Sequence, residues 1–395
     1  MRPNVLQLIG SFHQGGSERQ ALQLARLLKA SNQYNLHLAC IDKSGALLDS
    51  IDQLGLAEIP EYPLTSFYDR NALVQVRRFA LYLQTRGIDV IQTHDFYTNI
   101  FGMAAARLAG VRVRIAARRE TTGWRTPAQK IVERQAYRFA HTIVANSEAV
   151  RRQLLAEGVA DRKIVTIHNG IDLDRLAVAE NFNRTAALAS FGLPTAPQLR
   201  FVTIVANLRH AVKDHATFLR AARRVHAALP VARFVIAGEG ELTGAMRQMA
   251  AQLGIADDTF FIGRAERIAE LLAASDVCVL SSKAEGFSNS LLEYLAASRP
   301  VVVTDVGGAR EAIRDGETGY IVPAGADAEM AAHIIALLEN PEQAQAMGER
   351  SRHIVEQRFS CAAQLAATEA LYDRLLATNA QRLARRIDSV QREIA

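Results

Sequence analysis

The sequence predicts an α/β protein built from two Rossmann-like domains, each a doubly wound parallel sheet, facing each other across a cleft, with a helical C-terminal segment. Three observations carry this. The 395 residues exceed what one hydrophobic core usually supports, which points to two domains of about 150–200 residues each. Short apolar runs alternate with helix-patterned segments, the signature of a parallel sheet with crossover helices. The alternation also starts twice, at Val5 and again at Phe201, with turn-rich chain between.

In order along the chain, residues 5–9 read as a strand, Gly15-Gly16 as a tight loop, and the chain from Glu18 as a helix with Ala21, Leu24, Ala25, Leu27 and Leu28 on one face. Strand-like runs continue at 36–41, 89–92, 112–116, 142–145 and 164–167, with helical patterns such as 73–84 and 148–156 between them. Asn169-Gly-Ile-Asp172 and Phe191-Gly-Leu-Pro194 carry turn residues, so the first domain is expected over 1–194. The second is expected over 195–360, with strands at 201–206, 234–237, 260–262, 277–280, 300–304 and 320–322. Residues 361–395 are expected as C-terminal helices that pack back towards the first domain and end in the charged amphipathic stretch 381–392.

Composition narrows the class. A hydrophobic content of 49% with 22% charged residues is that of a soluble globular protein, and no stretch is long and apolar enough to span a bilayer. Residues 1–4 run directly into a strand-like segment without a cleavable signal pattern, so a cytoplasmic location is expected. Cys40, Cys278 and Cys361 are odd in number and widely spaced, which favours buried thiols over a disulfide or metal site. The net charge is only +5, yet Arg107, Arg112, Arg114, Arg118, Arg119, Arg125, Lys130, Arg134 and Arg138 crowd one segment around the single tryptophan, Trp124. That segment reads either as a patch for an anionic surface or as the solvated face of ordinary helices. Nucleic acid is not expected, because stacking aromatics are not interleaved with the charges.

The motif richest in chemistry is Glu285-Gly-Phe-Ser-Asn-Ser-Leu-Leu-Glu293. The apolar run ending at Leu280 reads as a buried strand, and Ser288 to Ser290 offer capping side chains for a helix carrying Leu291, Leu292, Leu295 and Ala296. Glu285 then lies on a loop and Glu293 on a helix, roughly 10 Å apart, since eight helical residues rise about 12 Å. That exceeds the roughly 5–9.5 Å of a glycosidase carboxylate pair. Between them the free N–H groups at the helix start can hold phosphate.

Asn207-Leu-Arg209-His-Ala-Val-Lys213 follows the strand at 201–206, so two cations sit at a strand's carboxyl end. They suit a diphosphate and the charge that develops on a leaving group; the plain alternative is two loop charges in water. Gly15 and Gly16 allow backbone to approach a ligand closely, or merely make a turn. His94 follows the strand at 89–92 and is expected to face the same cleft. Gly238-Glu-Gly240 and Gly307-Gly308 read chiefly as turns, and 238–244 misses the dinucleotide fingerprint by one residue.

In this order and spacing, Gly15-Gly16, the His94 segment, Val144-Ala-Asn-Ser147, His168-Asn-Gly-Ile-Asp172, Arg209 with Lys213, and the two glutamates resemble the retaining GT-B glycosyltransferases of group 1, family 4-like, from the first strand to about residue 325. The resemblance implies metal-independent transfer from a nucleotide-diphosphate-sugar, with UDP, GDP and ADP donors all open, and no cofactor or metal. Glu293 would bind the ribose hydroxyls, Glu285 the donor sugar, and the backbone around Phe287, Ser288, Asn289 and Ser290 the diphosphate and sugar. Arg209 and Lys213 would hold and stabilise the leaving diphosphate, Gly15 and Gly16 would close on it, and Arg264 would lie near the base. His94 would orient or polarise the reacting groups. The acceptor is expected on the first domain near His94, Arg118, Arg119 and Trp124. It would be a glycan or lipid-linked molecule of bacterial surface polysaccharide or lipopolysaccharide assembly, met at the inner membrane face.

Two departures are visible: Gly-Phe-Ser-Asn-Ser stands where many relatives have Gly-Phe-Gly-Leu-Pro, and Asn-Leu-Arg where Gly-Arg is commoner. A GT-B-like nucleotide-sugar epimerase and a non-enzymatic two-domain ligand-binding protein are the alternative readings.

Overall fold

The computed structural model describes residues 2–52, 54–56, 58–67, 69–121 and 125–394, with side chains through Gln381 except that of Asp52. Two compact units emerge, Met1–Gly170 with Cys361–Ala395, and Ile171–Ser360.

The first unit holds a six-stranded sheet of β1 (Asn4–Ile9), β2 (Asn35–Cys40), β3 (Val90–Thr93), β4 (Val113–Arg118), β5 (Thr142–Ala145) and β6 (Ile164–Thr166). All pairings are parallel, in the order β2-β1-β3-β4-β5-β6. Its helices are α1 (Gly16–Ser31), α2 (Asp49–Asp52), α3 (Arg70–Thr85), α4 (Phe96–Ala109), α5 (Pro127–Phe139) and α6 (Glu148–Ala156). Strand periodicity divides the core in two. Leu6 and Leu8 of β1 pack with Phe79 of α3, Phe101 of α4 and Tyr137 of α5. Val5 and Ile9 pack on the other side with Leu24 and Leu28 of α1.

The second unit holds β7 (Arg200–Val205), β8 (Ala232–Ala237), β9 (Thr259–Gly263), β10 (Val277–Leu280), β11 (Val301–Thr304) and β12 (Tyr320–Val322). They too are all parallel, in the order β12-β11-β10-β7-β8-β9. Counted from its own first strand this is the Rossmann order, whereas the first sheet runs in the flavodoxin-like order. Its helices are α7 (Arg184–Ser190), α8 (His215–Ala228), α9 (Thr243–Gln252), α10 (Ile268–Ala274), α11 (Asn289–Ala296), α12 (Ala309–Ala312), α13 (Asp327–Glu339) and α14 (Pro341–Arg358). The long α15 (Cys361–Ile394) belongs to the first unit, where Leu371 and Tyr372 enter the core beside α1.

The two doubly wound parallel sheets expected from the alternation are therefore present. The boundary expected near residue 195 lies instead between Gly170 and Ile171. The cause is apolar: Ile171 and Leu176 are buried with Phe359, and Ala187, Leu188 and Leu193 pack on Phe201, so the stretch read as linker is part of the second core. Cys40 and Cys278 are buried free thiols, and burial pushes both up to about 12. Among the described residues, no helix is long and apolar enough to cross a membrane.

Candidate functional site

In open α/β sheets, ligands bind beyond the carboxyl ends of the strands where the strand order reverses. Here those places are β7/β10 in the second unit and β1/β3 in the first.

At the first of these, β10 ends at Leu280 and the chain turns through Ser281 and Ser282 to Glu285. The loop after β7 ends in the single 3₁₀ turn Ala211–Lys213, and Asp214 then takes a left-handed conformation, φ 45°, before α8. Three contacts stitch the loops together, two of them to backbone carbonyls. Lys283 N–H donates to Val212 O at 2.7 Å, Ser281 Oγ to Lys213 O at 3.0 Å, and Lys213 Nζ to Glu285 Oε1 at 2.5 Å. Ser282 Oγ donates to the same Glu285 oxygen at 2.7 Å. The ion pair is only partly shielded, with side chains 20% and 12% exposed. Charges so placed interact more strongly than in water yet stay within reach of a ligand.

Behind the pair, Gly307 is a built requirement. Its φ is +55°, and a Cβ there would come within 2.5 Å of the Glu285 carbonyl oxygen, while Gly308 N–H donates to Gly286 O at 2.8 Å. Gly240 supports the neighbouring loop in the same manner, its hypothetical Cβ 2.2 Å from the Leu208 carbonyl carbon. Both glycines follow strands, and the sequence reads both chiefly as turns, with ligand contact open. The left-handed requirement was the available signal; what it supports was not.

The helix of the glutamate motif starts at Asn289, and Ser288 Oγ caps it by accepting Leu291 N–H at 3.3 Å. Ser290 Oγ donates to Val205 O at 2.8 Å, and Tyr294 OH accepts Val205 N–H at 2.6 Å, which anchors α11 to the end of β7. Phe287 is buried against Phe359, with ring centroids 5.0 Å apart, so its side chain is an anchor and only its backbone borders the loop. Glu293 is buried in α11. Arg209 and Arg264 are both exposed, the former just after β7, the latter just after the edge strand β9.

At the β1/β3 point His94 lies between the Arg119 guanidinium and a chain of neutral, buried side chains. Asp95 caps α4 in a capping box with Thr98, and Thr98 Oγ1 also accepts His94 N–H at 3.1 Å, which fixes His94 at the end of β3. The imidazole is 1% exposed. A guanidinium only donates, so Arg119 Nη2, 3.3 Å from Nδ1, makes that nitrogen the acceptor and leaves the proton on Nε2. Nε2 then donates to Gln7 Oε1 at 2.8 Å, Gln7 Nε2 to Tyr372 OH at 2.9 Å, and Tyr372 OH to Gln92 Oε1 at 2.6 Å. Burial, reinforced by Arg119, pushes His94 well below its ordinary range, so it is uncharged. Gln7 and Tyr372 had no motif to mark them.

Arg119 is itself held by Asn169 Oδ1 at 2.8 Å, and burial lowers it to about 10 against the opposing pull of Glu18 and Asp95. Its Nε and the nearby Asn146 Oδ1 are buried without partners among the described residues. Gly15 begins α1, where a Cβ would fall 1.9 Å from the Glu18 carboxylate; glycine there lets Glu18 fold over the helix start, and Gly16 follows as the first helical residue. Arg118 differs from its neighbour: it turns inward to Glu157, Glu133 and the carbonyl of Glu120, and is 3% exposed. Placed in an internal ion-pair cluster, it does not face a ligand as expected. Trp124 lies outside the described residues.

The basic segment thus splits. Arg114, Arg118, Arg119 and Arg125 are engaged by acceptors inside the unit, and Arg107, Arg112, Lys130, Arg134 and Arg138 are exposed.

With this geometry in place, the chain matches two family profiles: Glycosyltransferase Family 4 over residues 14–175 and Glycosyl transferases group 1 over residues 189–354. The chain belongs to these glycosyltransferases. The glycosyltransferase is 29% identical over 317 residues to the putative glycosyltransferase EpsF of Bacillus subtilis (strain 168), covering 76% of this chain and 79% of that one. Its fold is similar to that of HepE from Anabaena, crystallised with UDP and glucose: TM-score 0.83, 18% identity, 94% of this chain and 100% of the other. It is also similar to the lipopolysaccharide outer core galactosyltransferase WaaB, at TM-score 0.70 and 15% identity over 94% and 99%. The GT-B fold of the glycosyltransferase follows from these likenesses.

Proposed function

We propose that this glycosyltransferase moves a sugar from a nucleotide-diphosphate-sugar to a glycan or lipid-linked acceptor, with retention of configuration and without a metal. The setting proposed is bacterial surface-polysaccharide or lipopolysaccharide assembly, at the cytoplasmic face of the inner membrane. The observation that carries the donor site is the Lys213–Glu285 ion pair at the β7/β10 switch point, beside the start of α11. HepE, of similar fold, binds UDP and glucose, and WaaB acts in lipopolysaccharide outer core synthesis, which supports the donor and the setting.

In this reading Lys213 exchanges Glu285 for the donor diphosphate, with Arg209 beside it, and Glu285 is freed to accept sugar hydroxyls. Glu293 takes the ribose, Arg264 the base, and the α11 start with backbone of 287–290 the diphosphate. Gly15 and Gly16 add backbone contact from the first unit. The C1–O bond to the diphosphate breaks, the diphosphate leaves with the electron pair, and the acceptor oxygen bonds to C1 on the same face. The acceptor proton passes to the departing phosphate oxygen. Lys213 and Arg209 stabilise the charge that builds there. His94 is neutral with both ring nitrogens engaged, so in this reading it orients the reacting groups as a fixed dipole and transfers no proton. Arg119 fits the acceptor side.

A thermal-shift screen of UDP-, GDP- and ADP-sugars names the donor, because a ligand bound only by the native state raises apparent stability. Product analysis in chelator then tests the reaction. Free nucleoside diphosphate with a glycoside of the donor's own anomeric configuration is expected. An inverted anomer overturns retention, and an epimerised donor overturns transfer.

A further inference from the structure

Six large apolar side chains among the described residues are more than half exposed, and all six lie on three consecutive helices of the first unit. They are Leu73, Val74 and Leu81 on α3, Tyr97 and Leu108 on α4, and Ile131 on α5, at 51–63% exposure. The remaining exposed large apolar side chains stand at 37–38%. The three helices are neighbours that bury their inner faces in one cluster, through Phe79, Phe101 and Tyr137. Their outer faces therefore form one continuous layer.

Within the three helices the exposed charge has one sign. The helices carry seven cations, Arg70, Arg77 and Arg78 on α3, Arg107 on α4, and Lys130, Arg134 and Arg138 on α5. Their single acid, Glu133, is buried beneath, paired with Arg125 at 3.1 Å. A helix whose inner face already fills a core has no fold-internal reason to carry leucines on its outer face as well. Apolar tips set among long basic side chains fit one surface: an interface with hydrocarbon below and phosphate at its rim. A second copy of the chain fits badly, because a two-fold contact would bring seven cations against the same seven.

We infer that the α3–α4–α5 face docks on anionic lipid bilayers, with Leu73, Leu81 and Ile131 entering the headgroup boundary and the cations pairing with lipid phosphates. Half of this face, α3, lies outside the basic segment that sequence alone singles out. The inference deepens, and for its purpose rests on, the reading of a lipid-linked acceptor; docking and chemistry are scored separately.

The test is flotation of the full chain with phosphatidylcholine vesicles, with and without phosphatidylglycerol, at low and high salt. The expected result is binding to the anionic vesicles that is weakened by salt, and about tenfold weaker binding in the paired variant Leu81→Asp with Ile131→Asp. Both positions are exposed, so circular dichroism and slow donor hydrolysis are expected unchanged. Absence of vesicle binding by the wild type overturns the inference. So does undiminished binding by the variant, or a salt-sensitive dimer, abolished by the same substitutions, in place of vesicle binding. Loss of donor hydrolysis in wild type with vesicle binding intact would strike the proposed reaction and leave the docking face standing.

Discussion

At the β7/β10 switch point the facing side chains are ions, Lys213 and Glu285, whose side chains are 20% and 12% exposed. At the β1/β3 point they are the neutral chain His94, Gln7, Tyr372 and Gln92, all buried and hydrogen-bonded in one direction. Both are switch points of a parallel sheet, and their electrostatics are opposite. Partly solvated ions can trade one charged partner for another at small cost, which suits a site that must take up and release a diphosphate. A buried neutral chain gains nothing by opening, and leaving one of its groups unpaired is expensive. In the proposed reaction, exchange then belongs to the second unit and fixed geometry to the first.

The sharpest way to break it is in the ion pair. Lys213→Ala and Glu285→Ala are each expected to cut turnover by at least about tenfold, a loss of roughly 1.4 kcal/mol of transition-state stabilisation, with the fold intact by circular dichroism. Near-wild-type turnover in either variant would remove its role in exchange.

The first unit should respond the other way. Tyr372→Phe deletes one hydroxyl and strands the Gln7 donor and the Gln92 acceptor in the core. The expected cost is about 1–3 kcal/mol of stability. A melting temperature equal to wild type would show that the chain from α15 to His94 holds nothing.

The smallest effect concerns the histidines. His215, which opens α8 just beyond the β7 loop, is lowered to about 4, chiefly by burial. The unfolded chain protonates this histidine near pH 6.5 and the native state does not, so its contribution to stability is lost as pH falls from about 6.5 towards 4. His215→Asn is therefore expected to lose less melting temperature than wild type between pH 7.5 and 5, measured by calorimetry. An identical pH dependence would mean that His215 is not held neutral.

How far the sequence could be read is clearest at adjacent residues. Arg118 and Arg119 are indistinguishable as letters, yet one ends β4 pointing into a carboxylate cluster and the other reaches His94 and Asn169. Ser288 and Ser290 were equally good caps in sequence; the structure uses Ser288 as the cap and spends Ser290 on β7. Residues 171–194 have the turn composition of a linker, but their apolar side chains find partners in the second core.

By itself the sequence determined what depends on near neighbours. The strand at 277–280, the helix at 148–156, the start of α11 after Ser288 and the two doubly wound sheets all follow from periodicity, capping and turn chemistry within a few residues. Only the tertiary structure decided which distant loops meet. Lys213 and Glu285 are separated by 72 residues, and Gln7 and Tyr372 by 365. Their encounters are set by strand order and by the return of α15 to the first sheet. Those depend on how the whole chain buries its apolar faces, a cooperative property that no local window contains.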